Sequence, residues 1–222
     1  MSAPLDLDSL AAESRDLLAR LGRRRWASEA YLAGSAALAL HLGHRPVRDL
    51  DFMFGSNRLA PQERRDLLGD LQAADPGAGV ETARDGYLFA RSASGVGLRF
   101  FYYPYPLVEP EEEALGMAVA SAMDLGLMKI AAIISRGERR DFVDLYLLAR
   151  RLALDTLLRR AEDKFGHVAD FPLQALKGLA DRSATAGEPM PRLTAPLDWE
   201  TVERWLDEEV RRLGRVHAGL EP

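Results

Sequence analysis

The sequence contains no cysteine among its 222 residues and only three lysines. The lack of cysteine excludes disulfides, thiolate metal sites and a thiol nucleophile, so any metal must be bound by oxygen or imidazole. No segment approaches the roughly 20 apolar residues of a membrane span, and no secretion signal is visible, so we expect a cytoplasmic protein without membrane contact. The formal net charge of −5 gives no overall attraction to nucleic acid, so RNA binding would need a local basic patch.

The character of the chain changes near its middle. Up to residue 110, alternating apolar segments separated by turn residues predict short strands with helices between them. After a proline-rich and acidic segment, apolar residues recur at helical spacing. We therefore predict an α+β protein with an α/β lobe at 1–110, built on a mixed or antiparallel sheet flanked by helices, and a helical lobe at 111–222.

Two short motifs in the N-terminal half carry candidate chemistry. Gly34 and Ser35 follow a predicted strand and begin a predicted helix, and Asp49-Leu50-Asp51 follows on another strand after a spacer of 13 residues. Residues two apart on a strand point to the same side, so Asp49 and Asp51 place two carboxylates about 7 Å apart on one face. Leu50 then points into the core.

Paired carboxylates suit Mg²⁺, which proteins usually bind through one or two carboxylates together with water and substrate phosphates. Gly34 lets the backbone approach a phosphate closely, and Ser35 offers a hydroxyl at the positive end of a helix. We therefore predict that Asp49 and Asp51 bind Mg²⁺, and that Gly34 and Ser35 bind a nucleoside triphosphate. The alternative is that the glycine and serine only form a turn and that both aspartates are solvated on an edge strand.

A further motif lies in the predicted helices of the C-terminal half. Lys129 lies in one helix, and the next begins with Arg139-Arg140-Asp141-Phe-Val-Asp144-Leu-Tyr. A lysine ammonium is a compact, flexible charge suited to a triphosphate, and we favour that contact for Lys129. Asp141 and Asp144 share a helix face, from which they can anchor Lys129 or Arg140. The alternative is a salt-bridge network that only packs the helices.

These motifs, in this order, resemble the nucleotidyl transferase AbiEii/AbiGii toxin family of the polymerase-β-like nucleotidyltransferase superfamily, over about residues 31–150. The resemblance implies a Mg²⁺-dependent nucleotidyltransferase that acts as the toxin of a toxin–antitoxin pair. The implied partners are a nucleoside triphosphate, an RNA acceptor such as tRNA, and a cognate antitoxin. The implied catalytic residues are Asp49, Asp51, Lys129 and Asp144. The implied nucleotide-binding residues are Gly34, Ser35, Lys129, Arg140 and Asp141.

One feature departs from the superfamily pattern. Many members carry a third carboxylate on a neighbouring strand, but the matching segment 96–102 contains none, and we expect Arg99 near that position. A third acid commonly serves as a base or a further metal ligand. Two hypotheses follow: an enzyme with one metal and a base supplied by the substrate or by Asp144, or a non-catalytic nucleotide-binding or protein-interaction module of the same fold.

Overall fold

The computed structural model describes residues 4–219, and the chain divides into two compact units. The first unit ends at Ser121 and contains a mixed β-sheet with helices, whereas the second begins at Ala122 and is helical. The predicted α+β class is confirmed. Within residues 4–219, no helix is both long and apolar enough to cross a lipid bilayer.

The first unit is built on a sheet of seven strands within its described residues. The strands are β1 (Ala30–Ala33), β2 (Leu50–Phe54), β3 (Gly79–Arg84), β4 (Tyr87–Arg91), β5 (Gly97–Tyr102), β6 (Glu112–Ala114) and β7 (Met117–Val119). Their order is β3-β4-β5-β2-β1-β7-β6, with parallel pairing of β2 with β5 and of β1 with β7, and antiparallel pairing elsewhere. The sheet is therefore mixed, as predicted.

Helices accompany this sheet at places that local sequence explains. They are α1 (Ala12–Leu21), α2 (Gly34–Leu42) and α3 (Pro61–Ala74). Helix α3 begins with proline, whose missing N–H is not needed in a first turn, and the Glu63 carboxylate accepts a hydrogen bond of 3.1 Å from the Ala60 N–H. Helix α2 is small and apolar, and its residues 36–40 are fully buried.

An aromatic cluster fixes which side of β2 faces the core. The rings of Phe52 in β2 and Phe100 in β5 stack with centroids 4.9 Å apart, and Trp26 meets both edge-on at 5.3 and 5.4 Å. Such ring pairs add about 0.5–1.5 kcal/mol beyond the burial of their surface. Because the side chains of β2 alternate, the aspartates are held on the opposite side of the strand.

Strands β6 and β7 were not predicted, and they move the boundary between the units. They form a hairpin around Leu115 and Gly116, both with positive φ, and β7 continues the sheet beside β1, where Val119 pairs with Leu32. Met117 and Val119 are fully buried. Part of the acidic segment at which we placed the boundary between the lobes therefore belongs to the sheet, and the first unit extends to Ser121 instead of ending at residue 110.

The second unit packs long helices around an aliphatic core. In its described residues the helices are α4 (Ala122–Ser135), α5 (Arg139–Ala149), α6 (Leu154–Phe165), α7 (Phe171–Ala180) and α8 (Trp199–His217). Their apolar faces are buried; Leu127 and Ile130 of α4, for example, are fully enclosed. Helix α8 starts at an Asp198 cap, whose carboxylate accepts the Thr201 N–H at 2.7 Å.

Candidate active site

The two aspartates lie on one side of the sheet, as predicted. Leu50 and Phe52 are fully buried, whereas the side chains of Asp49 and Asp51 are 39% and 22% exposed. Asp51 pairs with Ala33 of β1 on one side and with Arg99 of β5 on the other. Asp51 therefore lies beside the end of β1, where the Gly34-Ser35 turn begins.

The carboxylate of Asp51 occupies the space where a side chain at position 34 would lie. Its φ is +62°, a left-handed conformation that costs other residues about 1–2 kcal/mol. A Cβ atom at this position would lie only 2.3 Å from Asp51 Oδ2. Glycine is thus required twice, by the backbone conformation and by the approach of the carboxylate. The turn and the aspartate strand form one cluster.

Ser35 has a partner that the sequence did not reveal. Its hydroxyl accepts a hydrogen bond of 2.8 Å from Arg45 Nη2. Arg45 follows helix α2 in the loop to β2, and no spacing rule connects it to Ser35. The contact brings a cation to the first turn of α2, where the backbone N–H groups already favour an anion.

Arg99 and Gly97 of β5 complete the surroundings of the carboxylates. Arg99 Nη2 lies 2.9 Å from Asp49 Oδ2, and Nη1 lies 3.3 Å from Asp51 Oδ1. The Gly97 N–H donates a 2.9 Å hydrogen bond to Asp49 Oδ1, and a Cβ on Gly97 would lie 2.8 Å from the same atom. Arg99 lies on the expected strand. The contact of Gly97 with Asp49 was not predicted, because a glycine has no side chain that would indicate it in the sequence.

Attraction to the aspartates keeps Arg99 charged. Partial burial lowers the pKa of its guanidinium, but the charge of Asp51 and the hydrogen bond to Asp49 outweigh burial, so the pKa lies above its usual value. The guanidinium also packs over the ring of Phe89 at 4.9 Å. The carboxylate pair therefore has a permanent cation across it.

The donor atoms fit one Mg²⁺ ion in part. In the described part of the chain, no group of three or more His, Cys, Asp or Glu side chains comes together as a metal site. Two carboxylates are nevertheless the protein share that Mg²⁺ commonly takes when phosphates and water complete its shell. One oxygen of each aspartate is bonded to Arg99, so metal binding must compete with the guanidinium.

In the second unit, Lys129 of α4 lies between two aspartates of α5. Its Nζ is 2.9 Å from Asp141 Oδ1 and 2.8 Å from Asp144 Oδ2, and its side chain is only 7% exposed. Asp141 also accepts two hydrogen bonds from Arg136, at 2.8 and 2.9 Å. The motif residues are thus brought together, in the arrangement that packs the helices. The phosphate contact that we favoured for Lys129 stays a prediction, and it would require Lys129 to leave this network.

The network favours the charged forms of Lys129 and Asp141. Burial lowers the pKa of Lys129, but the attraction of Asp144 and Asp141 outweighs burial, so this pKa lies above its usual value. Burial raises the pKa of Asp141, but the hydrogen bond from Arg136 and the charge of Lys129 bring it below its usual value. Arg140 differs from these residues, since its side chain is 54% exposed and pairs with Glu138.

Comparison with known proteins identifies relatives of this chain. A family model described as nucleotidyl transferase AbiEii toxin, Type IV TA system, matches residues 16–202. An uncharacterized protein of Aquifex aeolicus (strain VF5) is 32% identical over 151 residues, which are 66% of this chain and 70% of that protein.

A solved structure shares the fold. The crystal structure of a candidate nucleotidyltransferase from H. pylori aligns with a TM-score of 0.54, covering 96% of this chain and 99% of that one at 18% identity. At this identity the likeness supports the fold alone. The chemistry must therefore be argued from the residues and from the family.

Proposed function

Because the chain belongs to the nucleotidyl transferase AbiEii toxin family, we propose that it transfers a nucleotidyl group from a nucleoside triphosphate to RNA such as tRNA. In this proposal it acts in the cytoplasm as the toxin of a toxin–antitoxin pair, and a cognate antitoxin is its partner. The observation that carries the proposal is the close approach of the Asp51 carboxylate to Gly34. In this proposal, a turn that binds phosphate lies beside a carboxylate that binds metal.

Four residues of the first unit would have roles in this reaction. Asp49 and Asp51 would hold Mg²⁺, which when bound offsets negative charge on the phosphates. The turn at Gly34 and Ser35 would present backbone N–H groups to phosphate oxygens at the start of α2. The acceptor oxygen forms its bond to the α-phosphorus as the bond to the leaving pyrophosphate breaks.

In this proposal, cations of the second unit would contact the triphosphate, and carboxylates would hold one of them in place. Lys129 would offset charge on the triphosphate if nucleotide binding draws it out of its network, and Asp141 and Asp144 would hold it until then. Arg140 has an exposed side chain that pairs with Glu138, and in this proposal it would be a further cation for the phosphates. The fully buried, ion-paired Asp144 is better suited to holding Lys129 than to accepting the acceptor's proton. A substrate group is then the simpler base.

A second candidate is a module that binds nucleotide without turnover. The observation that favours it is Arg99, which lies on the strand where a third carboxylate is expected and bonds to both aspartates. A site without that acid could keep its affinity for nucleotide while lacking a complete catalytic set. Binding and transfer must therefore be measured separately.

The binding experiment uses thermal unfolding with each of the four nucleoside triphosphates, with and without Mg²⁺. We expect Mg²⁺ and one nucleotide together to stabilise the protein more than either does alone, because phosphates complete the metal shell that two carboxylates leave open. Asp51→Asn should remove this joint effect. Asp16→Asn, an exposed aspartate of α1, is the matched control and should keep it.

Transfer is measured with total RNA and nucleoside triphosphates labelled at the α-phosphate. Label in RNA that depends on Asp51 would support the enzyme. A joint stabilisation without any transfer would favour the module. Equal stabilisation of the wild type and Asp51→Asn would show that the carboxylates are not the site.

A further inference from the structure

Arg99 occupies the place where a cation would bind the carboxylate pair. It faces Asp51 across the β2–β5 pairing, and its two terminal nitrogens contact one oxygen of each aspartate, at 2.9 and 3.3 Å. The guanidinium stacks over the ring of Phe89, with its Cζ atom 4.9 Å from the ring centroid. A planar fork that spans two carboxylates is a specific geometry, which a lysine could not reproduce.

This placement sets a condition on metal binding. An arginine side chain does not lose its proton in proteins, so its charge cannot be removed to make room for a metal ion. A divalent ion arriving alone would have to break two charge-assisted contacts and then remain near a positive charge. A metal ion that arrives with a triphosphate brings negative oxygens, which can accept the same guanidinium fork.

We infer that Arg99 is the resident counterion of Asp49 and Asp51, that metal alone displaces it poorly, and that a metal–triphosphate complex displaces it by taking the guanidinium onto a phosphate. Arg99 is thus a positioning residue that couples the binding of metal to the binding of nucleotide. This inference rests on the proposed function, because it takes the aspartates as the metal ligands. The inference also assigns a role to Arg99, which lies on the strand where the third carboxylate is missing.

The test measures Mn²⁺ binding by the electron paramagnetic resonance signal of the free ion, with and without the α,β-methylene analogues of the four nucleoside triphosphates, after correction for the Mn²⁺ that each analogue binds in the absence of protein. In the wild type we expect an analogue to tighten Mn²⁺ binding by at least about tenfold, within the usual range of coupling between sites. Arg99→Gln should bind Mn²⁺ alone about tenfold more tightly than the wild type, and the coupling should fall by about the same factor, to the part that phosphate coordination of the metal supplies. Arg99→Lys keeps a charge without the fork and should fall between them.

Arg91→Gln is the matched control, because Arg91 of β4, the strand on the far side of β5, feels the charge of Asp49 but pairs with Glu81. It should behave as the wild type does. If Arg99→Gln binds Mn²⁺ no more tightly while the wild type still binds metal and analogue together, the inference is overturned and the proposed function stands. If the wild type binds no analogue with or without Mn²⁺, both are overturned. A loss of coupling in Arg91→Gln equal to that in Arg99→Gln would also overturn the inference, since any nearby cation would then suffice.

Discussion

Removal of Lys129 tests whether the helical unit depends on its buried ion network. In Lys129→Ala, Asp141 keeps two hydrogen bonds from Arg136, whereas Asp144 loses an ion pair of 2.8 Å and its side chain is fully buried. Removal of one partner of a buried pair typically costs about 3–5 kcal/mol. We expect a loss in this range, which is a large part of the roughly 5–15 kcal/mol that stabilises a typical domain.

The measurement is urea unfolding followed by far-ultraviolet circular dichroism. Lys177→Ala is the matched control, because it is the same substitution at an exposed position of α7, and it should change the free energy of unfolding by less than about 0.5 kcal/mol. Lys129→Met removes the charge but keeps most of the volume, so it should cost nearly as much as Lys129→Ala if charge dominates. A loss below about 1 kcal/mol in Lys129→Ala, the size typical of exposed pairs, would refute the buried arrangement.

The effect of Lys129→Met on the free energy of unfolding should depend on pH in a specific way. The raised pKa of Lys129 means that its contribution to stability is complete below about pH 10.4, the ordinary lysine value, and is lost as pH rises through the folded-state pKa. The lowered pKa of Asp141 means that its contribution is present above about pH 3.9 and is lost as pH falls through its own folded-state value. The difference in unfolding free energy between wild type and Lys129→Met should therefore be constant near neutrality and shrink only at these extremes.

Two further predictions concern a glycine and a second buried ion pair. Gly34→Ala and Gly43→Ala both place a side chain at positive φ, so each should lower the free energy of unfolding in urea by about 1–2 kcal/mol. Only Gly34→Ala should abolish Mn²⁺–nucleotide binding, because only this substitution displaces Asp51. Loss of binding in Gly43→Ala as well would mean that general destabilisation is responsible. Lys164→Met should lower the free energy of unfolding by about 3–5 kcal/mol, because it breaks a fully buried 2.8 Å ion pair with Asp124. The double variant Lys164→Met/Asp124→Leu should recover most of that stability. A double variant as unstable as the single one would contradict this account.

The sheet side of the candidate site was predictable because it follows from local rules. Alternation along β2 puts Asp49 and Asp51 opposite the buried Leu50, whatever the rest of the fold does. A glycine between a strand and a helix predicts a tight turn at Gly34. The position of Arg99 followed in the same way, from its place on a strand expected beside β2. In each case the information lies within a few residues of the side chain concerned.

The contacts that went unpredicted depend on register and on chain distance. The hydrogen bond of Gly97 to Asp49 requires knowing which residue of β5 lies beside β2, and the bond of Arg45 to Ser35 depends on the path of a loop. Strands β6 and β7 have three residues each, too few to show a period of two, and β6 includes the end of an acidic run that we took as a boundary between lobes. Only their pairing with the sheet identifies them.

Because lysine is scarce in this chain, the position of each lysine is informative. For Lys129 that information is compatible both with a triphosphate contact and with a buried ion pair. Lys129 and Lys164 are two of only three lysines in the chain, and both are buried against carboxylates at 2.8 Å. An ammonium is compact and has three donors on a slim stem, whereas a guanidinium is a broad plane with five donors, all of which need partners when buried. In a chain that uses arginine for nearly all its cations, these two lysines therefore occupy places that require a compact charge, whereas the third, Lys177, is exposed. A triphosphate site and a buried carboxylate both impose that requirement, so the sequence alone cannot separate them. For Lys164 the deciding partner, Asp124, lies 40 residues away.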